Sequence, residues 1–330
     1  MRRRRHVLMV AERDGCSRVH KESAALAARG WTIDLLTRFP STDWTVYRRV
    51  YREQHALPPE QWAEAIANCT ASIIHYHNEP DCHMHAVVEG AQGRPVVYDV
   101  HDMTLFKHGL TTDSEFAFAN ATAVVHVTPE IRDAAWAVFP HPPHVAVVEN
   151  CPLRAVVDIF PEARSDAGVV YIGGMVRARS AGYWNHRYFD DIDAAFAAAG
   201  VPVAWYSRTA PKTGVRDPHA WLPYGLLLKE VAGYSWGFVG SEITRVLQPM
   251  ASPNKAWEYL ALGLPVLSLN QPRLERLLGG EAGVFGGTVE ELIEGMRAAD
   301  WHTLHRQALA HRRFMDDEIV KVEELYGRLA

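Results

Sequence analysis

The sequence predicts a parallel α/β protein built as two consecutive doubly wound halves. Three observations carry that prediction. Short apolar runs rich in Val and Ile recur along the chain, helical patterns fill the spaces between them, and the series restarts after a proline-bearing break. In the first half the runs are His6–Ala11, Thr32–Thr37, Ser72–Tyr76, Pro95–Val100, Ala121–Thr128 and Val145–Glu149. They are apolar on both faces, as strands inside a parallel sheet are. Between the first two, Arg18–Arg29 reads as a helix that Gly30 stops.

Residues 152–165 carry two prolines, mixed charge and no clear period, which marks a linker. Beyond it, strands are expected at Gly168–Ile172, Pro202–Tyr206, Trp236–Val239, Pro265–Leu269 and Gly283–Phe285. Phe189, Ile192, Phe196 and Ala199 repeat at helical spacing before Gly200, another helix covers Val289–Ala299, and the chain ends in one or two helices over His302–Arg328. The expected division is therefore a Rossmann-like domain at 1–151, a linker at 152–166, a second Rossmann-like domain at 167–305 and a helical segment at 306–330, which could pack back on the first domain. Two such halves facing each other leave a central cleft, and ligands of such sheets sit at the carboxyl ends of the strands.

Bulk properties narrow the function. The 330 residues are 48% hydrophobic and 22% charged, enough for two cores and against global disorder. The net charge of -5 gives no whole-chain case for nucleic acid or membrane binding. Arg2–Arg5 is a local exception, read mainly as a solvated tip. Four scattered cysteines without a CxxC pair fit a reducing compartment better than a disulfide scaffold or structural zinc. With no bilayer-length apolar stretch and no signal sequence, a cytoplasmic protein is expected. The turn after the first run, Glu12–Arg13–Asp14–Gly15–Cys16–Ser17, is neither a GxGxxG fingerprint nor a P-loop.

The most informative stretch is Ser252-Pro-Asn-Lys-Ala-Trp-Glu-Tyr-Leu-Ala-Leu-Gly-Leu-Pro-Val-Leu267. Ser252 suits an N-cap, Pro253 the first helical position, and Gly263 a helix stop before a strand at Pro265. Trp257, Leu260 and Ala261 share one face, while Asn254, Lys255 and Glu258 lie on a neighbouring face near the helix start. Free N–H groups and the helix dipole favour a phosphate there, and Lys255 adds a positive charge. A carboxylate at Glu258 can accept both hydrogen bonds of a ribose diol. The local chemistry alone leaves two readings open: a nucleoside-diphosphate site, or an ordinary surface helix with a Lys–Glu pair.

The pattern Pro-Asn-Lys-x-x-Glu-Tyr-x-Ala-x-Gly-x-Pro-Val resembles the donor-binding helix of the retaining glycosyltransferases of family 4, which have the GT-B fold. The resemblance implies that Glu258 binds the nucleotide ribose and that residues 167–305 bind the nucleotide sugar, with 1–151 on the acceptor side. Val169-Val-Tyr-Ile-Gly-Gly174 resembles the strand and glycine turn opening the second domain, so Gly173 and Gly174 are donor-side candidates, as are Arg177 and Arg179 soon after the turn. Val97-Tyr-Asp-Val-His-Asp102 resembles a strand-end segment whose histidine faces the transferred sugar. It makes His101 the candidate at the reaction centre and Asp102 an acceptor-side candidate. Gly15 and Arg18-Val-His-Lys-Glu-Ser23 resemble the family's N-terminal loop and helix start, which implies donor contact by Gly15 and acceptor contact by Arg18. Val148-Glu-Asn-Cys-Pro152 resembles the turn before the interdomain linker. One departure stands out: relatives often carry a second glutamate eight positions before the ribose-binding one, and here Met250 occupies it, with Glu242 the nearby substitute.

The resemblance implies hexosyl transfer from a UDP- or GDP-linked sugar with retention and no bound cofactor, and the lack of a DxD triplet in a plausible strand-end loop agrees with no metal. A glycan or glycolipid is the implied acceptor, with a hydroxylated base in DNA a minority reading. Arg2–Arg5 together with Trp44, Tyr47 and Tyr51, read as exposed aromatics, and Arg48, Arg49 and Arg52 would suit a polyanionic acceptor as a minority reading, since basic amphipathic segments also dock on anionic membranes. The rival readings are a nucleotide-sugar 2-epimerase of the same fold and a catalytically inactive nucleotide-sugar-binding module.

Overall fold

The computed structural model describes residues 5–13, 17–40, 49–78, 80–101, 103–158, 163–175, 188–207, 222–241, 250 and 252–329. Arg2–Arg4, Asp14–Cys16, Trp44, Tyr47, Arg48, Asp102, Arg177, Arg179 and Glu242 lie outside them, so their expected roles have no structural counterpart here. The chain forms two compact units, residues 1–153 with 315–330 and residues 154–314.

In the first unit the strands are β1 (His6–Arg13), β2 (Thr32–Phe39), β3 (Glu53–Ala56), β4 (Ile73–His77), β5 (Val96–Val100), β6 (Ala123–His126) and β7 (His144–Val147). The helices among them are α1 (Ser17–Ala28), α2 (Trp62–Asn68), α3 (Met84–Ala91), α4 (Thr104–His108), α5 (Thr112–Asn120) and α6 (Pro129–Trp136). All strands run parallel in the order β3-β2-β1-β4-β5-β6-β7. The order reverses direction between β1 and β4, which makes their carboxyl ends the topological switch point. β4, β5 and β6 are buried at every position, the reason their sequences read as unbroken apolar runs.

The second unit opens with α7 (Arg154–Val157), a turn of helix inside the stretch read as a linker. It continues through β8 (Val169–Ile172), α8 (Asp190–Ala198), β9 (Val203–Tyr206), α9 (Tyr224–Val231), β10 (Trp236–Gly240) and α10 (Asn254–Ala261). Then come β11 (Val266–Leu269), α11 (Pro272–Leu278), β12 (Gly283–Gly286), α12 (Val289–Ala298) and α13 (Trp301–Ala310). Its parallel sheet has the order β12-β11-β10-β8-β9. The core is aromatic, with Tyr171, Phe189, Phe196, Trp205, Trp236 and Phe238 buried in one cluster. Asp193 accepts the Trp205 indole N–H at 2.6 Å, which meets the need of a buried donor. The last helix, α14 (Met315–Leu329), belongs to the first unit. Its Glu318 accepts the Glu149 N–H at 3.0 Å, and Glu323 receives Arg5, Arg29 and the Trp31 indole.

Three local expectations are corrected. β3 carries no apolar run because all four of its residues are exposed on the edge of the sheet, so nothing in its composition marks it as a strand. Tyr51 is not an exposed aromatic: it is buried, with its hydroxyl 2.8 Å from His20 Nδ1. Arg52 is taken up by Asp34, with contacts of 3.0 and 2.6 Å, which removes it from the expected basic patch. Asp34 also meets His6 Nε2 at 2.7 Å.

His126, at the end of β6, is buried and makes no hydrogen bond through either ring nitrogen. Burial pushes its pKa down from 6.5 to about 4. The unfolded chain therefore takes up this proton first, and stability is lost as pH falls from about 6.5 towards about 4, by roughly 3 kcal/mol in all. Urea melts across that range should show His126→Leu losing less stability than the parent; a pH-independent difference between the two would refute the assignment.

Candidate functional site

In the second unit Gly173, Gly174, Asn254, Lys255 and Glu258, five of the sequence-predicted donor residues, lie at the turn after β8 and on α10. β8 finishes at Ile172, and Gly173 follows with φ of +143°, a backbone state that side chains disfavour. A Cβ there would also lie 2.8 Å from Lys255 Nζ, so the glycine makes room for the lysine. Lys255 Nζ rests 3.8 Å from the centroid of the Tyr171 ring, a cation–π contact that holds the ammonium over the turn. The Tyr171 hydroxyl donates to the Gly174 carbonyl at 3.0 Å and fixes the turn from beneath.

α10 starts differently from the expectation. Pro253, rather than Ser252, occupies the N-cap position, and no side chain caps the helix. Ser252 Oγ instead accepts the Trp257 indole N–H at 2.7 Å, because burying the indole creates a stronger demand for that oxygen than the exposed helix end does. The helix start thus keeps backbone N–H groups without a side-chain cap beside Lys255, the local chemistry that suits an anion. Asn254 is exposed at this end. Gly263, with φ of +79°, follows the C-terminus and ends the helix as expected.

The helix is anchored by Tyr259. Its ring lies against Gly237 of β10, where a Cβ would come within 2.2 Å of the ring, and its hydroxyl accepts the Ile172 N–H at 2.9 Å. One side chain therefore sets the distance between α10 and the end of β8. Glu258, one turn after Lys255, is 5% exposed. Its Oε1 accepts the hydroxyl of Tyr224, at the start of α9, at 2.7 Å. Tyr224 is a site residue the sequence reading missed. It stands 34 positions before Glu258, and only a Pro-Tyr pair opening a helix could have marked it.

In the first unit His101 follows β5 and is half-buried; its N–H donates to Asn78 Oδ1 at 3.2 Å. Its ring stands 6.3 Å from that of His77. Arg18 is fully buried rather than facing an acceptor. Its Nε meets both Asp99 oxygens at 3.0 and 2.9 Å, one terminal nitrogen lies 2.9 Å from Glu22, and the other donates to the Val148 carbonyl at 2.8 Å. That network corrects the acceptor assignment: the guanidinium is spent inside the unit.

No protein-family model and no curated protein matches the chain. Solved structures do match over nearly its whole length. Anabaena HepE in complex with UDP and glucose aligns over 98% of this chain and 99% of its own, with a TM-score of 0.69 and 12% identity. An alpha-glucosyltransferase in complex with UDP-glucose and DNA containing an abasic site aligns over 98% of each chain, with a TM-score of 0.60 and 10% identity. AviGT4, a glycosyltransferase involved in avilamycin A biosynthesis, covers 98% of this chain and 97% of its own, with a TM-score of 0.60 and 14% identity. The fold is GT-B. Among the described residues, no helix is long and apolar enough to cross a membrane.

The Tyr259 anchor can be tested without any ligand. Gly237→Ala drives a methyl into the Tyr259 ring and should cost about 1–3 kcal/mol. Gly225→Ala on α9 meets open space and should be neutral or stabilise by about 0.5–1 kcal/mol. Urea unfolding of the two variants checks the contrast, and an equal response would show that the ring does not constrain the sheet.

Proposed function

We propose that this chain is a glycosyltransferase that takes a sugar from a nucleoside-diphosphate sugar, with α10 and the β8 turn as its donor-binding elements. The observation that carries the proposal is one arrangement on a GT-B fold: Lys255 Nζ over the Gly173–Gly174 turn, and the buried acid Glu258 one helical turn further along. A diphosphate at the turn meets the Lys255 ammonium and the uncapped N–H groups of α10, while the ribose diol reaches the Glu258 carboxylate, whose orientation Tyr224 sets. The resemblance to family 4 and the UDP-containing complexes of the structural neighbours support a UDP-linked donor.

In this reading the lysine and helix start stabilise the charge that develops on the leaving diphosphate, with no metal required at that step. Transfer proceeds with retention by front-face attack, the leaving phosphate helping to deprotonate the acceptor hydroxyl. His101 faces the transferred hexose. Arg177 and Arg179 add charge at the diphosphate, and Asn254, Gly15 and Asp102 complete the donor and acceptor sides. The acceptor is a glycan or glycolipid; the neighbour bound to DNA keeps a DNA base as the second class to be assayed.

The two donor contacts make separable predictions. Glu258→Ala should weaken UDP and uridine alike, by about 10- to 100-fold, since it removes charge-assisted hydrogen bonds to the ribose. Lys255→Met should weaken UDP by about tenfold or more and leave uridine unchanged, because only the diphosphate meets the ammonium. Isothermal titration of both ligands checks the pattern. An unchanged UDP affinity in Glu258→Ala would overturn the assignment.

A further inference from the structure

The first unit holds a group of side chains that the donor site does not use. Glu22 on α1, His75 and His77 on β4 and Asp99 on β5 each direct one potential ligand atom to a common point, and these four atoms all lie within 4.8 Å of one another. His75 Nε2 is 3.4 Å from Asp99 Oδ2 and 3.9 Å from Glu22 Oε2. His77 approaches Asp99 Oδ2 through Nδ1 at 3.8 Å and Glu22 Oε2 through Nε2 at 4.0 Å, so a half-turn of the ring chooses which nitrogen serves as ligand. Tetrahedral zinc with bonds of about 2.0–2.1 Å holds its ligands roughly 3.3–3.4 Å apart, so the His75–Asp99 pair already has that spacing, while the wider separations, all within 4.8 Å, must close on an ion by side-chain rotation.

Three features separate this group from an ordinary ion-pair network. First, neither ring nitrogen of His77 has a hydrogen-bond partner, although the side chain is only 1% exposed, and His75 Nε2 and Glu22 Oε2 likewise make no hydrogen bond, Glu22 Oε1 being paired with Arg18. Such groups are normally satisfied inside a protein, and a coordinated ion would satisfy these. Second, the surroundings orient the set. His75 Nδ1 is engaged by the Tyr326 hydroxyl of α14, which leaves Nε2 to face the cluster, and Arg18 fixes both carboxylates from outside. A partner on the non-ligating nitrogen is the usual support of a metal-bound imidazole. Third, two buried carboxylates share a single guanidinium, so a cation held among them would complete their charge balance.

We propose that Glu22, His75, His77 and Asp99 form a divalent transition-metal site of the zinc class, buried at the switch point of the first sheet. Two imidazoles with two carboxylates suit zinc, cobalt or iron better than magnesium or calcium. Four protein ligands leave no open position, so the ion is structural. It clamps α1 to β4 and β5 and fixes the strand end from which His101 projects. The site revises the expectation of a chain without a metal, and it stands independently of the glycosyltransferase reading.

The test uses the full-length, untagged chain. Zinc content after dialysis, measured by plasma mass spectrometry, should be about one equivalent per chain. Cobalt added to the metal-free protein should give the visible bands of a four-coordinate site. Glu22→Gln keeps the shape and a contact to Arg18 but removes a ligand charge; it and His77→Gln should lose at least nine-tenths of the bound metal, whereas the exposed-surface control His302→Gln keeps it. Zinc should raise the Tm of the metal-free parent and not that of Glu22→Gln. A parent that retains no more zinc than Glu22→Gln, or that gives no four-coordinate cobalt bands, would make the cluster an ion-pair network and overturn the proposal. Should both variants fail to fold, the cobalt spectrum of the parent decides alone.

Discussion

The first unit is organised around the demand of one buried guanidinium. Arg18 lies on α1, but its nitrogens reach Asp99 at the end of β5, Glu22 one turn along its own helix, and the Val148 carbonyl just beyond β7. A charge with no solvent exposure is tolerable only when such partners are all in place, and removing one leaves another uncompensated. The requirement fixes the start of α1 against the middle of the sheet. Asn78, whose N–H donates to the Asp99 carbonyl and whose side chain accepts the His101 N–H, extends the same constraint to the segment where His101 stands. Side chains at the ends of β4 and β5 are thus placed by a polar lattice, where the rest of each strand is placed by apolar packing.

The second unit solves the same placement problem with aromatic rings and glycines. Tyr259 fills the space that Gly237 leaves open and holds the Ile172 N–H; Tyr171 supports the glycine turn and the Lys255 ammonium. Aromatic side chains lose little rotamer entropy when fixed, and here each meets its polar need locally. The elements of the proposed donor site are therefore held by contacts of the fold itself, the condition under which binding energy goes into contacts rather than into ordering. Glu258 fits that logic. A carboxylate with 5% exposure takes its orientation from the Tyr224 hydroxyl, as a partner for a specific pair of donors in the proposed function would need.

Much of this architecture is legible in the sequence, for physical reasons that also explain what is not. Strands buried on both faces, such as Ile73–His77 and Val96–Val100, announce themselves by composition, and helix ends at Gly30, Gly200 and Gly263 by the left-handed backbone only glycine adopts freely. The exposed edge strand Glu53–Ala56 has no apolar signal because it borrows its hydrogen bonds from β2. Ser252 shows the limit of local rules. Its oxygen could serve the helix end or the Trp257 indole, and only burial of the indole decides for the latter. Contacts across long separations stay hidden: Tyr224 with Glu258, and Glu22 with His75, His77 and Asp99, share no local pattern, because tertiary folding alone brings them together.

Both groups of functional interest lie at carboxyl ends of parallel strands, where helix starts and free strand ends converge. They use that position in opposite ways. At α10 the convergence is left partly open, with a helix start that no side chain caps, an exposed Asn254 and an ammonium held over a glycine turn. At α1 it is closed, with Arg18, Glu22, His75, His77 and Asp99 each at 1% exposure or less and directed at one another. An open polar surface gains by exchanging water for a ligand, whereas a closed one must reach balance within itself or by holding an ion. Arg18 meets both oxygens of Asp99 and one of Glu22, and the polar atoms left without a hydrogen bond include both ring nitrogens of His77 and Glu22 Oε2. On the two proposals made above, the same strand-end geometry serves recognition in one unit and fastening in the other.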